Sequence, residues 1–253
     1  MVLSMKRWVG KVAIVTGASS GIGAAITKQL VEEGLLVVGV ARRVERIENL
    51  SKILENKPGK LFAFKADLSI EDEIKEIFIW TTNNVGPVSI LINNAGLHIR
   101  TGLVDGDTEA WKTTINVNLL GLCIATREAI KIMRNNDING HIIHINSFLG
   151  HKVVDIPNLD VYPASKYGVT ALTETLRLEL NSLKSKIKVT SISPGMVDTE
   201  IFDSVRHTKE FKDNIQKNML QPEDIADGVI YTLSTAPHVQ VHELTIKPIG
   251  EKF

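Results

Sequence analysis

The sequence predicts one doubly wound α/β domain with about seven strands in a parallel sheet and helices on both faces. Short apolar runs alternate with longer amphipathic runs along nearly the whole chain. The short runs are apolar on both faces, as in strands that helices cover from both sides. No repeat or linker divides the 253 residues, and this length suits a single α/β domain. We therefore predict that residues 1–253 form one domain.

The first half of the chain contains four predicted strands. Each is a compact run rich in valine, isoleucine, leucine or phenylalanine, over 11–16, 36–40, 61–65 and 88–93. Apolar residues at helical spacing predict helices between them, over 22–33, 46–54 and 70–83. Gly34 ends the first helix, as a C-cap glycine does, and acidic residues open the third, where the helix dipole favours negative charge.

The second half repeats the pattern with longer helices. Helical spacing predicts helices over 109–133, 162–183 and 222–233. Pro222 suits the first position of the last helix, since proline has no N–H to leave unpaired there. Strands are predicted over 141–146, 187–193 and 241–247. Strands and helices thus alternate to the end of the chain, as in a parallel sheet.

The composition argues against several classes of function. Lysine plus arginine and aspartate plus glutamate both number 29, so the formal net charge is zero and no bulk attraction to nucleic acid is expected. No apolar run approaches the roughly 18 residues of a membrane span, and the N-terminus lacks the core of a secretory signal. Cys123 is the only cysteine, which suits a reducing compartment. We expect a cytoplasmic protein with no nucleic-acid partner and no membrane span.

A glycine-rich turn follows the first predicted strand. The residues from Gly17 to Gly23 have the spacing Gly-x-x-x-Gly-x-Gly. Glycines allow a tight turn and let the backbone approach a ligand closely, and the following helix points its free N–H groups at the turn. An ordinary strand–helix turn needs only one glycine. We therefore predict that this turn binds the pyrophosphate of a nucleotide.

The end of the second strand predicts which nucleotide binds. A site that prefers NAD places an acidic residue there for the ribose hydroxyls, whereas this chain has Ala41, Arg42 and Arg43. Two guanidinium groups suit a 2′-phosphate through charge-assisted hydrogen bonds. The alternative is a solvated basic helix start, although positive charge there opposes the helix dipole. The pattern favours NADP over NAD.

A tyrosine and a lysine share one face of the helix predicted over 162–183. Tyr162 and Lys166 are one helical turn apart, so their side chains point the same way. A tyrosine with a pKa of about 10 is a poor base at neutral pH, and a neighbouring cation favours the phenolate. The pair could serve as an acid/base, but considered alone it is better explained as a surface tyrosine and lysine.

Four motifs occur along nearly the whole chain in a familiar order. They are Thr16–Gly23, Asn93-Asn94-Ala95-Gly96, Tyr162-x-x-x-Lys166, and Pro194-Gly195 followed by Thr199. Together they resemble the short-chain dehydrogenase/reductase family, in its compact single-domain branch with a Rossmann fold. The resemblance implies hydride transfer between a nicotinamide and an alcohol or carbonyl.

The resemblance implies roles for the catalytic residues. Tyr162 would pass a proton to or from the substrate oxygen, and Ser147 would orient that oxygen. Lys166 would hold the nicotinamide ribose and lower the pKa of Tyr162. Asn118 would position a water linked to Lys166, with Asn116 as the competing candidate. Asn118 is preferred because the family places this residue three positions before a glycine.

One departure from the family concerns the serine. Ser147 lies fifteen positions before Tyr162, more than the family usually shows, and Leu149 at the nearer position cannot form the hydrogen bond. We therefore expect the loop over 148–160 to bulge away from the site. This longer loop resembles a subgroup that includes NADP-dependent farnesol dehydrogenases and enzymes of hydroxysteroids and dicarbonyls.

The resemblance also implies a cofactor site across the strand ends. The predicted NADP(H)-binding residues are Gly17, Ser19, Ser20, Gly21, Ile22, Gly23, Arg42, Arg43, Asp67, Leu68, Asn94, Ala95, Gly96, Tyr162, Lys166, Pro194, Gly195, Val197 and Thr199. A segment around 198–221 would close over the substrate in this family, and its amphipathic spacing fits packing in the core or against another subunit as the alternative. Its apolar residues are Ile201, Phe202, Val205, Phe211, Ile215, Met219 and Leu220.

The apolar segment predicts a lipophilic alcohol or carbonyl as the substrate. A farnesol-like alcohol is the leading candidate, and a hydroxysteroid or a small carbonyl is the alternative on the same chemistry. A different class is a catalytically weak NADPH-binding or scaffold protein, although the complete set of catalytic residues argues against it. Because family members usually pair two long helices, a homodimer or homotetramer through 109–133 and 162–183 is expected.

Three histidines are candidates for further roles. His98 follows the Asn-Asn-Ala-Gly motif and is either near the substrate mouth or an exposed loop residue. His141 and His144 have no carboxylate or cysteine partner at ligand spacing, so no metal site is predicted. Cys123 is interpreted as a small core residue of a long helix.

Overall fold

The computed structural model describes residues 3–204, 206–208 and 219–251. Within these ranges one parallel sheet has seven strands in the spatial order β3-β2-β1-β4-β5-β6-β7. The strands are β1 (Val12–Thr16), β2 (Leu36–Ala41), β3 (Lys60–Lys65), β4 (Val88–Asn93), β5 (His141–Ile145), β6 (Lys188–Pro194) and β7 (Glu243–Ile246). β1 to β6 are buried almost throughout except β3, which lies at one edge and is partly exposed.

Helices cover both faces of this sheet. In the part of the chain that the structure describes, they are α1 (Gly21–Glu32), α2 (Val44–Ile53), α3 (Glu71–Asn84), α4 (Thr108–Ile115), α5 (Leu122–Asn135), α6 (Tyr162–Ser182) and α7 (Pro222–Ser234). Apolar residues of α1, α2 and α7 form one core cluster against the sheet. Residues of α3, α5 and α6 form a second cluster on the opposite face. The prediction of one doubly wound domain is confirmed.

The order of the strands in the sheet changes direction at β1. β2 and β3 lie on one side of β1, while β4 to β7 lie on the other. In such sheets ligands bind outside the carboxyl ends of the strands at this switch point. The glycine turn after β1 and the Asn94-containing loop after β4 meet there, because β1 and β4 are hydrogen-bonded neighbours.

The predicted long helix over 109–133 contains a segment of different geometry. α4 and α5 are joined by a π-helical stretch over Asn116–Gly121. At Gly121 a Cβ atom would lie 2.3 Å from the carbonyl oxygen of Leu68, so only glycine permits this close approach. The π-helical stretch contains Asn118 and carries it past the end of β4, and such stretches are frequent at functional sites.

Candidate active site

A cleft of about 670 Å³ opens at the carboxyl ends of the central strands. This volume lies in the range of about 300–1,000 Å³ that is typical of cofactor and ligand sites. Most of the predicted site residues line it: Gly17, Ser19, Ser20, Gly21, Ile22, Gly23, Arg42, Arg43, Asp67, Leu68, Asn94, Ala95, Gly96, Tyr162, Lys166 and Thr199. Asn118, Ser147, Pro194, Gly195 and Val197 are not among its lining residues.

The glycine turn is held by close contacts that leave no room for side chains. Gly17 and Gly21 have φ angles of +68° and +51°, and a Cβ at Gly23 would lie 2.3 Å from the carbonyl oxygen of Gly17. Nδ2 of Asn94 donates to the carbonyl oxygen of Thr16 at 2.9 Å and so braces the turn from β4. The first N–H groups of α1, which have no partner within the helix, are available at this turn. These features suit a pyrophosphate.

Arginines gather at the cleft end next to β2. Arg42 is exposed, with Nη1 3.8 Å from Oδ2 of Asp67. Nη2 of Arg43 donates to Oγ of Ser20 at 3.1 Å and to Oε2 of Glu200 at 2.7 Å. Nη1 of Arg46 donates to Oε1 of the same glutamate at 2.5 Å. The sequence analysis did not identify Arg46 or Glu200, since nothing local links a glutamate after β6 to arginines after β2.

Asp67 is held as a carboxylate. Its Oδ1 accepts hydrogen bonds from the backbone N and the Oγ of Ser69, at 2.9 and 2.8 Å. Burial alone would raise its pKa, but the Ser69 hydrogen bonds and the charge of Arg42 outweigh that effect and lower the pKa. An ionised Asp67 beside the cleft is consistent with its predicted place at the adenine.

Tyr162 and Ser147 come together in spite of their separation along the chain. Burial raises the pKa of Tyr162 to about 12, while a hydrogen bond with Ser147 acts in the opposite direction. Oγ of Ser147 also accepts from the backbone N of Leu149 at 3.1 Å, which fixes its position at the end of β5. The predicted serine thus lies near enough to the predicted tyrosine for its hydroxyl to lower the pKa of that tyrosine.

Lys166 is buried beneath the tyrosine. Its Nζ lies 5.8 Å from the centroid of the Tyr162 ring and donates to the carbonyl oxygen of Ile145 at 3.1 Å. Burial lowers the pKa of Lys166 to about 8. We expected this cation to lower the pKa of Tyr162. Burial instead dominates the pKa of both side chains, and it raises that of Tyr162 and lowers that of Lys166.

The expectation that the loop over 148–160 bulges away from the site is wrong. Phe148 and Leu149 are buried, and the loop folds back over α6 through a 3₁₀ turn at Phe148–Gly150. Its apolar residues join a cluster that includes the tyrosine: Phe148, Leu149, Val154, Ile156, Leu159, Tyr162, Met196, Phe202 and Met219. The loop follows the apolar surface beside Tyr162 because turning outward would expose these side chains to water.

His98 lies next to Tyr162, so the alternative of an exposed loop histidine is wrong. The two ring centroids are 4.9 Å apart, and the His98 side chain is only 8% exposed. Nε2 of His98 contacts the carbonyl oxygen of Asn158 at 2.9 Å. Because a carbonyl can only accept, Nε2 carries the hydrogen. Burial lowers the pKa of His98, although Asp160 opposes the effect, and the ring is neutral at physiological pH.

Asn118 is buried beside α6. Its Oδ1 accepts from the backbone N of Leu97 and its Nδ2 donates to the carbonyl oxygen of Leu97, both at 2.9 Å. Nδ2 also lies 3.2 Å from Oγ of Ser165, the residue before Lys166. Asn116 is less buried. The position favours Asn118 over Asn116, while the water relay to Lys166 stays a prediction.

Some of the residues after β6 line the cleft, whereas others pack in the interior. Thr199 and Ile201 line the cleft, and a Cβ at Gly21 would touch the Thr199 side chain at 2.9 Å. Val197 is buried and pairs with Leu220 in an isolated bridge. Phe202 and Met219 pack in the cluster beside Tyr162. The predicted substrate-covering residues Val205, Phe211 and Ile215 lie outside the described residues.

His141 and His144 pack in the core. His141 and His144 are fully buried, and burial lowers the pKa of each to about 3, so both are neutral. Nδ1 of His144 lies 3.1 Å from Nδ2 of Asn93, and Nε2 of His141 lies 2.8 Å from Oγ1 of Thr190. In the part of the chain that the structure describes, no three His, Cys, Asp or Glu side chains are grouped to hold a metal ion. No described helix is long and apolar enough to cross a membrane.

Comparison with known proteins extends these observations. Residues 11–210 match the family model described as short chain dehydrogenase. Farnesol dehydrogenase of Aedes aegypti is 49% identical over 252 residues, covering 98% of this chain and 100% of that protein. Dehydrogenase/reductase SDR family member 11 of Bos taurus is 45% identical over 251 residues, covering 96% of this chain and 98% of that protein. A solved structure of alcohol dehydrogenase from Thermococcus sibiricus, complexed with 5-hydroxy-NADP, has a TM-score of 0.84 at 27% identity and covers 96% of this chain and 98% of its own.

Proposed function

Because the chain belongs to the short-chain dehydrogenase/reductase family and is an oxidoreductase, we propose that it transfers hydride between NADP(H) and a farnesol-like alcohol or its carbonyl product. One observation carries the proposal. A single cleft joins the glycine turn, two arginines after β2 and the buried pair Tyr162 and Lys166. A dinucleotide that lies along this cleft would reach from the arginines to the tyrosine.

The residues present fit NADP(H). The turn from Gly17 to Gly23 would hold the pyrophosphate, since its backbone leaves no space for a Cβ at Gly23 and ends on the free N–H groups of α1. Arg42 and Arg43 would hold the 2′-phosphate, and no carboxylate at the end of β2 takes the place where NAD sites bind the ribose. When bound, the cofactor supplies the hydride acceptor for oxidation or the hydride donor for reduction.

Tyr162 would act as the acid/base of the reaction. In oxidation its phenolate takes the proton of the substrate hydroxyl as hydride leaves the carbinol carbon, and in reduction the phenol returns that proton. Ser147, whose hydroxyl lowers the pKa of Tyr162, would donate to the substrate oxygen and stabilise charge on it. Lys166 would hold the ribose and favour the phenolate, an effect that burial outweighs in the cofactor-free protein.

Apolar side chains beside Tyr162 support a lipophilic substrate. Phe148 and Leu149 from the loop after β5 pack with Phe202 and Met219 from the segment after β6. These four residues surround the side of the tyrosine where a hydrocarbon chain would lose contact with water. The 49% identity to a protein named farnesol dehydrogenase supports a farnesol-like alcohol. A hydroxysteroid or a small carbonyl would use the same residues.

We also propose that the protein forms a homodimer or homotetramer through the long helices. The helix built from α4, the π-helical stretch and α5 exposes Leu120, while α6 exposes Tyr167 and Leu178. A second copy would remove these apolar side chains from water. Analytical ultracentrifugation of the wild type and of Leu120→Asp tests this proposal. Dissociation of the variant supports it, and a monomeric wild type contradicts it.

A substrate panel tests the proposed activity. Purified protein is assayed by the absorbance of reduced nicotinamide, with farnesol and either NADP⁺ or NAD⁺, and with a hydroxysteroid, a dicarbonyl and the matching cofactors. Turnover of farnesol that is faster with NADP⁺ is the expected result. Turnover of steroids or small carbonyls alone would favour the second substrate class. Inactivity across the panel with retained NADPH binding would support a catalytically weak binding protein.

A further inference from the structure

The carboxylate of Glu200 bridges two arginines beside the cleft. Its Oε2 accepts from Nη2 of Arg43 at 2.7 Å, and its Oε1 accepts from Nη1 of Arg46 at 2.5 Å. Glu200 opens the 3₁₀ turn Glu200–Phe202 after β6, while both arginines lie at the start of α2. The ion pairs therefore join two segments that are far apart in the sequence.

One of these ion pairs engages the guanidinium of Arg43, which is also proposed to bind the 2′-phosphate of the cofactor. Arg43 and Glu200 both line the cleft, and Nη2 of Arg43 is shared between Glu200 and Oγ of Ser20 in the glycine turn. The same guanidinium edge faces the pyrophosphate turn and the carboxylate. A 2′-phosphate that binds Arg43 there would meet the negative charge of Glu200.

We infer that Glu200 is an internal competitor of the cofactor's 2′-phosphate, which must release Glu200 from Arg43 when NADP(H) binds. The inference rests on the proposed NADP(H) function. A phosphate monoester carries a charge of about −1.5 to −2 at neutral pH. Two anions on one guanidinium repel each other, so the carboxylate and the phosphate cannot both keep their best contact with Arg43. Glu200 therefore weakens NADP(H) binding and leaves NAD(H) binding nearly unchanged.

The side chain of Glu200 is held as a carboxylate. Hydrogen bonds from Arg46 and Arg43 lower its pKa, although partial burial opposes them. The side chain of Glu200 is 40% exposed, and those of Arg43 and Arg46 are 45% and 43% exposed. Exposed pairs of this kind are weak, so a 2′-phosphate of higher charge can displace the carboxylate. The competition sets affinity and does not block the site.

The experiment compares the cofactor affinities of five proteins. Dissociation constants for NADPH and NADH are measured by calorimetry for the wild type, Glu200→Gln, Arg43→Ala and the double variant. Asp203→Asn is the matched control, because Asp203 belongs to the same segment but pairs with Arg206. Glutamine keeps the shape of Glu200 and removes its charge, and circular dichroism checks that each variant is folded.

The inference predicts that Glu200→Gln binds NADPH about two- to tenfold more tightly, as loss of weak exposed pairs allows. The affinity of Glu200→Gln for NADH should match that of the wild type. The affinities of Asp203→Asn for both cofactors should also match those of the wild type. The gain from Glu200→Gln should shrink in the Arg43→Ala background, because the shared partner is gone. Unchanged or weaker NADPH binding by Glu200→Gln would overturn the inference and indicate a spectator or a positioning role. A wild type that binds no NADPH would instead refute the proposed function.

Discussion

The ring of His98 lies against the ring of Tyr162, with 34° between the two ring planes. The last residues of the loop over 148–160 contact both His98 and Tyr162. The carbonyl oxygen of Asn158 accepts a hydrogen bond from Nε2 of His98, and Oδ1 of Asp160 accepts one from the backbone N of Tyr162 at 2.8 Å. Asn158 and Asp160 have φ angles of 60° and 44°, in the left-handed region. This backbone geometry brings the end of the loop to the proposed acid/base.

Replacing His98 tests whether this contact orients the tyrosine. His98→Ala should lower kcat roughly 10- to 100-fold, since small displacements of a reacting group are costly. His98→Phe keeps a ring beside Tyr162 and should retain most of the activity. Both variants should bind NADPH like the wild type. Steady-state kinetics and calorimetry measure these quantities, and a His98→Ala protein with wild-type kcat would contradict the prediction.

Ser147 is a second group beside the tyrosine, and its hydroxyl lowers the pKa of Tyr162. Ser147→Ala should lower kcat by about 10²- to 10³-fold, as loss of one hydrogen-bond donor to a developing oxyanion does in other enzymes. NADPH affinity should not change, because Ser147 is not among the residues that line the cleft. Single-turnover rates at saturating cofactor measure the effect. Activity close to that of the wild type would mean that another group orients the substrate oxygen.

Removal of the two arginines after β2 should weaken the binding of NADPH selectively. Arg42→Ala combined with Arg43→Ala should weaken NADPH binding by about ten- to hundredfold, because hydrogen bonds to a charged group are lost. NADH lacks the 2′-phosphate and should lose much less. Titration of both cofactors measures the ratio. Equal losses for the two cofactors would show that these arginines do not read the phosphate.

Lys166 should make the stability of the cofactor-free protein depend on pH. Its folded pKa is about 8, below the value of about 10.4 for an unperturbed lysine. Between these values the unfolded chain holds a proton that the folded chain lacks, so the free energy of unfolding rises with pH. Below pH 8 the buried charge costs at most about 3 kcal/mol, an order-of-magnitude figure.

The variant Lys166→Met isolates this effect. Methionine removes the buried charge, so the stability of the wild type relative to the variant should rise as pH increases from 8 to 10. Lys188, whose pKa burial also lowers to about 8, is present in both proteins and cancels in the comparison. Urea unfolding at several pH values measures the difference. A difference that does not change with pH would contradict a lowered Lys166 pKa.

Local sequence signals predicted most of the fold. Each strand was a short apolar run, and Gly34 and Pro222 marked helix ends where the structure has them. The i, i+4 spacing of Tyr162 and Lys166 predicted a shared helical face, and the structure places both in the cleft. These features depend on neighbouring residues and on regular periodicity, so they can be derived without knowledge of tertiary contacts.

The features that the sequence did not reveal depend on distant contacts. Glu200 and Arg43 are 157 positions apart, and no pattern near either residue specifies the ion pair. The course of the loop over 148–160 follows from apolar packing against Tyr162, which its length alone could not predict. The sequence predicts ordinary helix over the π-helical stretch Asn116–Gly121, because one turn with an extra residue hardly changes the apolar periodicity of the long helix around it.

The role of Tyr162 is tested most directly by Tyr162→Phe. The rate of NADP⁺ reduction by farnesol is measured for the wild type and the variant, together with the NADPH dissociation constant of each. Loss of general acid/base catalysis should lower kcat by about 10²- to 10⁴-fold, and the dissociation constant should stay the same. A variant that binds NADPH and turns over farnesol at the wild-type rate would contradict the assignment of Tyr162 as the acid/base.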